Sequence, residues 1–142
     1  METDSETDAL KDLIRAAGLR ATPARVSTLC LLRQATSPKT HAEVTAALEE
    51  ADTHPATVFR ILNDMAEAGL LRRLELGDYV YRFEAVRNSD SNRGLHPYFL
   101  CVDCGEVTCL EEVNLTASNQ HACEEVGEMH EIILRGVCNQ CR

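Results

Sequence analysis

Apolar residues recur at helical spacing through the first half of the chain and predict a series of short helices. In the segment ALKDLIRAAGL, residues 9–19, the apolar side chains share one face, and Gly18 ends the helix. The next segment opens with Thr22 as the capping residue and Pro23 at the first helical position. A third opens with Thr40 followed by Glu43, the spacing of a capping box.

A fourth helix and a hairpin complete the pattern of this half. The segment THPATVFRILNDMAEAGLL starts its helix at Pro55, buries an apolar stripe through Met65 and stops at Gly69. The sequences LLRRLEL and YVYRFE then flank a turn at Gly77, which predicts a two-stranded hairpin. Three helices, a recognition-type helix and a hairpin indicate a winged helix-turn-helix unit. A plain helical bundle with an attached hairpin is the alternative.

The second half alternates between short strands and cysteine pairs. The segment YFLCVDCGEVTCLEEV reads as strand, knuckle and strand, and HEIILRGV reads as a strand leading to a second knuckle. Each C-x-x-C knuckle presents two thiolates, so two knuckles supply the four soft ligands of a tetrahedral zinc site. We therefore expect one structural zinc per chain, held by Cys101, Cys104, Cys138 and Cys141. A redox pair is the alternative, but it requires a helix directly after the C-x-x-C.

Composition narrows the class of protein. The chain has 142 residues, and its acidic N-terminus lacks the basic and apolar regions of a signal peptide. No apolar run is long enough to span a bilayer, which excludes a membrane protein. Seven cysteines, an odd number, without an export signal favour a reducing compartment, so we expect a cytoplasmic protein. No Ser-His-Asp set, glycine-rich phosphate loop or pair of catalytic carboxylates is evident, so an enzyme is not expected.

The charge pattern indicates a nucleic-acid face on an acidic protein. The net charge is −9, which disfavours DNA binding, but residues 15–33 contain four arginines and no acidic residue. The exposed side of the fourth helix carries Thr57 and Arg60, near the end that enters the major groove in helix-turn-helix proteins. Arg72 and Arg73 lie where the wing begins. A winged-helix and zinc module that binds proteins instead of DNA is the alternative.

Four segments together resemble the ferric uptake regulator family of bacterial repressors: GLRATPAR at 18–25, ATVFRILNDMAEAGLL at 56–71, CVDCGEV at 101–107 and the C-terminal C-x-x-C. The resemblance implies an α+β protein with a winged-helix DNA-binding domain at 1–84, a hinge at 85–97 and a zinc-stapled dimerisation domain at 98–142. In the last of these it also implies one long helix, roughly over residues 111–126. It also implies a homodimer, most simply a repressor, on a palindromic operator. Arg20 and Arg25 fall where the family contacts the minor groove and phosphate, and Arg60 falls at the recognition-helix arginine.

The regulatory metal site departs from the family pattern. Lys39 and Arg82 stand at positions where the family has metal ligands, and neither charged side chain can bind a cation. The remaining candidates for a second metal are His96, Cys109 and His130. We therefore expect DNA binding with weak or atypical metal dependence. A zinc-sensing repressor that uses those three residues is the alternative, because a thiolate with imidazoles favours zinc over ferrous iron.

Overall fold

The chain consists of two compact units, Met1–Val86 and Arg87–Arg142. The computed structural model describes residues 2–49, 53–77, 79–86, 97–129 and 131–142. Of the predicted hinge 85–97, residues 87–96 lie outside this range, Ala85 ends a strand, and Pro97 begins one. None of the helices in the described ranges is long and apolar enough to cross a bilayer. In chain order the elements are α1 (Glu2–Ala16), α2 (Pro23–Gln34), β1 (Lys39–Thr40), α3 (His41–Ala47), α4 (Pro55–Glu67), β2 (Leu71–Glu75), β3 (Tyr81–Ala85), β4 (Pro97–Cys101), β5 (Val107–Cys109), α5 (Ala117–Glu124) and β6 (Ile132–Gly136).

The predicted helix starts of the first unit are confirmed at the capping residues. The Thr22 hydroxyl accepts the Arg25 N–H at the start of α2. Thr40 and Glu43 form the reciprocal capping box that opens α3. The first helix differs, since α1 begins at Glu2 instead of near Leu10 and takes in the acidic N-terminal segment. Asp4 lies in its first turn, where an acidic side chain interacts favourably with the helix dipole and so favours the longer helix.

One apolar cluster holds the first unit together. Its side chains come from all four helices and from the hairpin strands, and Ile14, Val44, Val58, Leu62 and Met65 are completely buried. Four residues of α4, namely Val58, Ile61, Leu62 and Met65, face this core at the predicted spacing. The opposite face of α4 is therefore left on the outside of the unit.

A three-stranded sheet of order β1-β3-β2 forms the wing. Strands β2 and β3 are antiparallel, with Arg73 opposite Phe83, so the predicted hairpin is confirmed. The two-residue strand β1 adds to the outer edge of β3 and places Thr40 opposite Arg82. The element order and this sheet are those of a winged helix-turn-helix unit, and the α+β fold class is confirmed.

The second unit is built on a separate sheet of order β5-β4-β6. Strand β4 pairs antiparallel with β5 and parallel with β6, so the first cysteine pair and the second follow neighbouring parallel strands. The predicted long helix over 111–126 is wrong. The helix α5 spans only Ala117–Glu124, because Thr116 adopts an extended conformation and its side chain caps the helix through the Asn119 N–H.

Candidate nucleic-acid interface and metal centre

The outer face of α4 presents the side chains that the sequence predicts to read DNA. Both of them, Thr57 and Arg60, are exposed. Phe59, between them, also keeps 55% of its surface accessible. A groove of about 680 Å³ runs along this face, lined by His41, Pro55, Ala56, Phe59, Arg60, Asn63, Asp64 and Glu67. An exposed helix face of this kind, with a planar cation and an apolar ring, is chemically suited to base edges and thymine methyl groups.

Two histidines fix the N-terminal end of α4. The Nδ1 atom of His54 accepts the Ala56 N–H at 3.1 Å and so caps the helix. The His41 Nε2–H donates to the Pro55 carbonyl at 2.8 Å, and the His41 ring meets Phe59 edge to face at 5.6 Å between centroids. Histidine is not a common capping residue. These contacts tie the first turn of α4 to the start of α3.

Six residues are predicted to contact DNA, and the structure places them in two groups. Arg20, Thr57 and Arg60 are exposed. The other three are arginines that have partners within the first unit, although Arg73 is itself exposed. Their distances are 3.4 Å from Arg25 to Asp64, 3.4 Å from Arg72 to Glu84, and 2.9 Å from Arg73 to Asn63. Sequence reasoning did not identify Asn63 or Asp64, since their partners are distant along the chain and no local spacing reveals them.

The four predicted zinc ligands converge at one end of the second unit. The sulfur atoms of Cys101, Cys104, Cys138 and Cys141 lie within 4.8 Å of one another. Across residues 97–129 and 131–142 together with the described part of the first unit, no other group of three or more such side chains is close enough to share an ion. All seven cysteines are free thiols. The structure therefore brings together two pairs that are 34 residues apart along the chain.

The two knuckles share one backbone geometry. In each knuckle the N–H four residues after the first cysteine donates to the carbonyl of that cysteine: Gly105 to Cys101 at 2.9 Å, and Arg142 to Cys138 at 3.0 Å. Gly105 has a φ of 77°, in the region that glycine enters without strain. The Cys101 sulfur accepts N–H groups from Cys104 and Cys138 at 3.5 and 3.3 Å. These donors orient the sulfur and would stabilise it as a thiolate.

The thiols of the cluster differ in pKa. The backbone N–H groups of Cys104 and Cys138 lower the pKa of the Cys101 thiol to about 6. The neighbouring Cys138 and Cys104 side chains raise the pKa of Cys141 to about 12, since a further thiolate would lie beside other sulfurs. Four such thiols cannot all ionise without a cation among them. The cluster thus has the donor chemistry of a metal site.

The cluster also fits the dimensions of a zinc ion. Tetrahedral zinc with bonds of about 2.3 Å separates its sulfur ligands by about 3.8 Å. The Cys104 and Cys138 sulfurs lie 3.9 Å apart. A set of four sulfurs with no open position is typical of a structural site and not of a catalytic one.

The candidate regulatory residues are only partly described. His96 and His130 lie outside the described residues. Cys109 is half-buried at the end of β5, opposite Tyr98 of β4. The two cationic side chains that replace family ligands occupy neighbouring strands, Lys39 on β1 and Arg82 on β3. Arg82 is buried, with 5% of its surface exposed.

Comparison with known proteins places the chain in a family. The profile of the Ferric uptake regulator family matches residues 16–134. The chain is 31% identical to a "Ferric uptake regulation protein" of Neisseria gonorrhoeae, over 100% of this chain and 96% of that protein. Its fold is similar to the ferric uptake regulator of Vibrio cholerae, with a TM-score of 0.72, 25% identity, and 90% and 98% of the two chains covered. It is also similar to a zinc uptake regulator complexed with zinc and DNA, with a TM-score of 0.63, 19% identity, and 99% and 95% covered.

A winged-helix unit with an exposed recognition helix defines a DNA-binding regulator, and the comparisons name its family. The chain belongs to the ferric uptake regulator family, which confirms the resemblance drawn from its motifs. It is therefore a DNA-binding transcriptional regulator and not an enzyme.

Proposed function

We propose that this regulator binds a palindromic operator as a homodimer and represses transcription, with little dependence on a second metal ion. The proposal that this protein recognises DNA sequence rests on the outward face of α4. Thr57 and Arg60 are exposed there, while the opposite face is buried in the core. In this proposal Arg60 contacts base edges in the major groove, where arginine recognises guanine with two hydrogen bonds. Arg20 contacts the backbone or minor groove beside it.

Exposed apolar side chains in the second unit support a homodimer. Val113, Val126 and Leu134 retain 45%, 91% and 44% of their surface, although the unit has few buried side chains of its own. Burying such side chains against a second copy is favourable, at about 25 cal/mol per Å² of apolar surface. Two-fold symmetry of the protein would match a palindromic operator, with half-sites about one helical turn apart.

One zinc ion per chain completes the second unit in this proposal. Cys101, Cys104, Cys138 and Cys141 hold it, and the ion neutralises the thiolates that the cluster cannot otherwise accommodate together. The thiols stay available only in a reducing environment, which agrees with a regulator that works beside DNA in the cytoplasm.

The weak dependence on a second ion rests on two cationic side chains. Lys39 lies 4.0 Å from Glu43, and Arg82 is buried on the adjacent strand. Both stand at positions where the family has ligands. A positive charge there supplies no lone pair and repels an arriving cation. A ligand can shift a conformational equilibrium only by its differential affinity for the two states. An ion with an incomplete coordination shell therefore shifts that equilibrium little.

A metal titration of DNA affinity tests the proposal. Protein that retains its structural zinc is titrated with zinc, ferrous and manganese ions, and its affinity is measured for a duplex selected from a random library. We expect a change below about tenfold, or ~1.4 kcal/mol, for each ion. A hundredfold activation by one ion, lost in Cys109→Ser, would support the zinc-sensing alternative with His96 and His130. A protein that selects no duplex at low salt would refute DNA reading itself.

A further inference from the structure

Two consecutive residues of α4 connect this helix to two of its neighbours in the first unit, α2 and β2. The Asp64 carboxylate pairs with Arg25 of α2 at 3.4 Å. The Asn63 side-chain oxygen accepts a hydrogen bond from Arg73 of β2 at 2.9 Å. The Asn63 amide nitrogen donates to the Phe59 carbonyl at 2.9 Å, which fixes the orientation of its amide group. The helix is therefore tied to α2 on one side and to the wing on the other.

Both arginines are also held from a second direction. Another nitrogen of Arg25 donates to the Arg20 carbonyl at 2.9 Å, just before α2. The Arg73 guanidinium lies 5.5 Å from the centre of the Tyr81 ring on β3. A planar guanidinium with several fixed donors loses little freedom for each further contact. The Arg25 side chain is only 19% exposed, so water screens its pair with Asp64 less than it screens a fully exposed pair.

From this geometry we propose that Asn63 and Asp64 form a recognition-helix anchor and that Arg25 and Arg73 act through it. In this role Arg25 and Arg73 are positioning residues, which set the rotation and tilt of α4 between α2 and the wing. The proposal rests on the proposed function, since it concerns how α4 meets DNA. It differs from the phosphate contact that the sequence suggests for Arg25.

The anchor lies one helical turn from Arg60, the residue proposed to contact base edges. Asn63 and Asp64 follow Arg60 by three and four residues, which is one turn of the helix. Hydrogen bonds to base edges lose strength steeply when their distance or angle departs from the optimum. A small rotation of α4 at the anchor would therefore misplace the Arg60 guanidinium.

The charge of Asp64 and its proposed anchoring role predict opposite effects of Asp64→Asn on DNA affinity. Asp64 is an acidic side chain in the groove beside Arg60. If it acted only through its charge, Asp64→Asn would reduce repulsion of phosphate and strengthen DNA binding. If it anchors the helix, the same substitution weakens binding to the preferred sequence. Glu67 provides the matched control, because it is an acidic residue of the same helix and lines the same groove.

The experiment compares Asp64→Asn, Asn63→Ala and Glu67→Gln with the wild type. Affinities are measured for a duplex selected from a random library with wild-type protein and for an unselected duplex of equal length. We expect Asp64→Asn and Asn63→Ala to weaken binding to the selected duplex roughly fivefold, the effect of a partly exposed polar pair, while the unselected duplex stays within about twofold. Glu67→Gln should leave the selected duplex unchanged or bind it more tightly.

A double-mutant cycle identifies the partner. Arg25→Ala combined with Asp64→Asn should lose no more affinity than either substitution alone, because both break one pair. The salt dependence of Arg25→Ala should match that of the wild type, since no phosphate contact is lost.

Each other result overturns the anchor. Tighter binding by Asp64→Asn, additive losses in the cycle, or a salt slope reduced by about one in Arg25→Ala would assign Arg25 to phosphate. A wild type that distinguishes no duplex would overturn the proposed function and the anchor with it. A wild type that does prefer the selected duplex, together with anchor variants that bind it as tightly as the wild type, would overturn the anchor alone.

Discussion

Loss of one thiolate from the cysteine cluster should unfold the second unit. The perturbation is Cys138→Ser, which removes one of four sulfurs that lie within 4.8 Å of one another. Cys138 also contributes the N–H that reaches the Cys101 sulfur, so it belongs to both the cluster and its backbone support. The matched control is Cys123→Ser, since Cys123 is exposed on α5 and is not part of the cluster.

The expected magnitude follows from how little else stabilises this unit. The buried hydrophobic side chains among its described residues are Tyr98, Leu100, Cys101 and Val107. Each side chain of this kind contributes roughly 1.5–3 kcal/mol when fully buried. A structural zinc site contributes about 10–16 kcal/mol at pH 7, which equals or exceeds the net stability of a typical domain. Weakening the site should therefore remove the folded state of the second unit and leave that of the first.

Hydrogen exchange and metal content measure this directly. Wild type and Cys123→Ser should contain about one zinc per chain and protect amides of β4 and β6 from exchange. Cys138→Ser should lose the zinc and this protection, while amides of α4 remain protected. Treatment of the wild type with a strong chelator should reproduce the pattern. Metal-free protein in which β4 and β6 stay fully protected would refute the reasoning.

Three further outcomes are expected. Arg60→Ala should weaken binding to the selected duplex by roughly 1–3 kcal/mol and broaden the set of sequences that a random library yields. An unchanged set of sequences would mean that Arg60 contacts only the DNA backbone. Leu62→Ala, at a completely buried position of α4, should destabilise the first unit by about 2–5 kcal/mol in urea unfolding, whereas a cost below about 1 kcal/mol would contradict the described core. Leu134→Glu, at an exposed apolar position of β6, should give monomers in analytical ultracentrifugation at concentrations where the wild type is dimeric, and dimers of unchanged affinity would place the interface elsewhere.

Local patterns in the sequence predicted most elements of the first unit. The capping box at Thr40 and the proline at position 55 mark helix starts, because caps and proline act on backbone groups only a few residues away. The apolar stripe of α4 predicted its buried face for the same reason. The span of the long helix came from the family resemblance and not from a local pattern, and it was wrong because Thr116 begins α5 later. Local reasoning missed β1, which exists only because β3 offers a free edge.

The sequence predicted which residues form the metal centre but not how they are arranged in space. Spacing within each C-x-x-C pair indicates a knuckle, since the ligands and the turn lie within a few residues. Only the parallel pairing of β4 with β6 brings Cys138 beside Cys104. The pKa difference between Cys101 and Cys141 likewise depends on which backbone N–H groups and sulfurs become neighbours.

The sequence by itself determined the chemistry available for DNA reading, and the tertiary structure decided how it is distributed. Arginines at 25, 60 and 73 are equivalent as cations in the sequence. In the folded unit Arg60 and Arg73 both stay exposed, but Arg73 meets Asn63, and the half-buried Arg25 meets Asp64. These partners are 39 and 10 residues away along the chain. Their contacts depend on helix packing and on the hairpin register, which no short window of sequence contains.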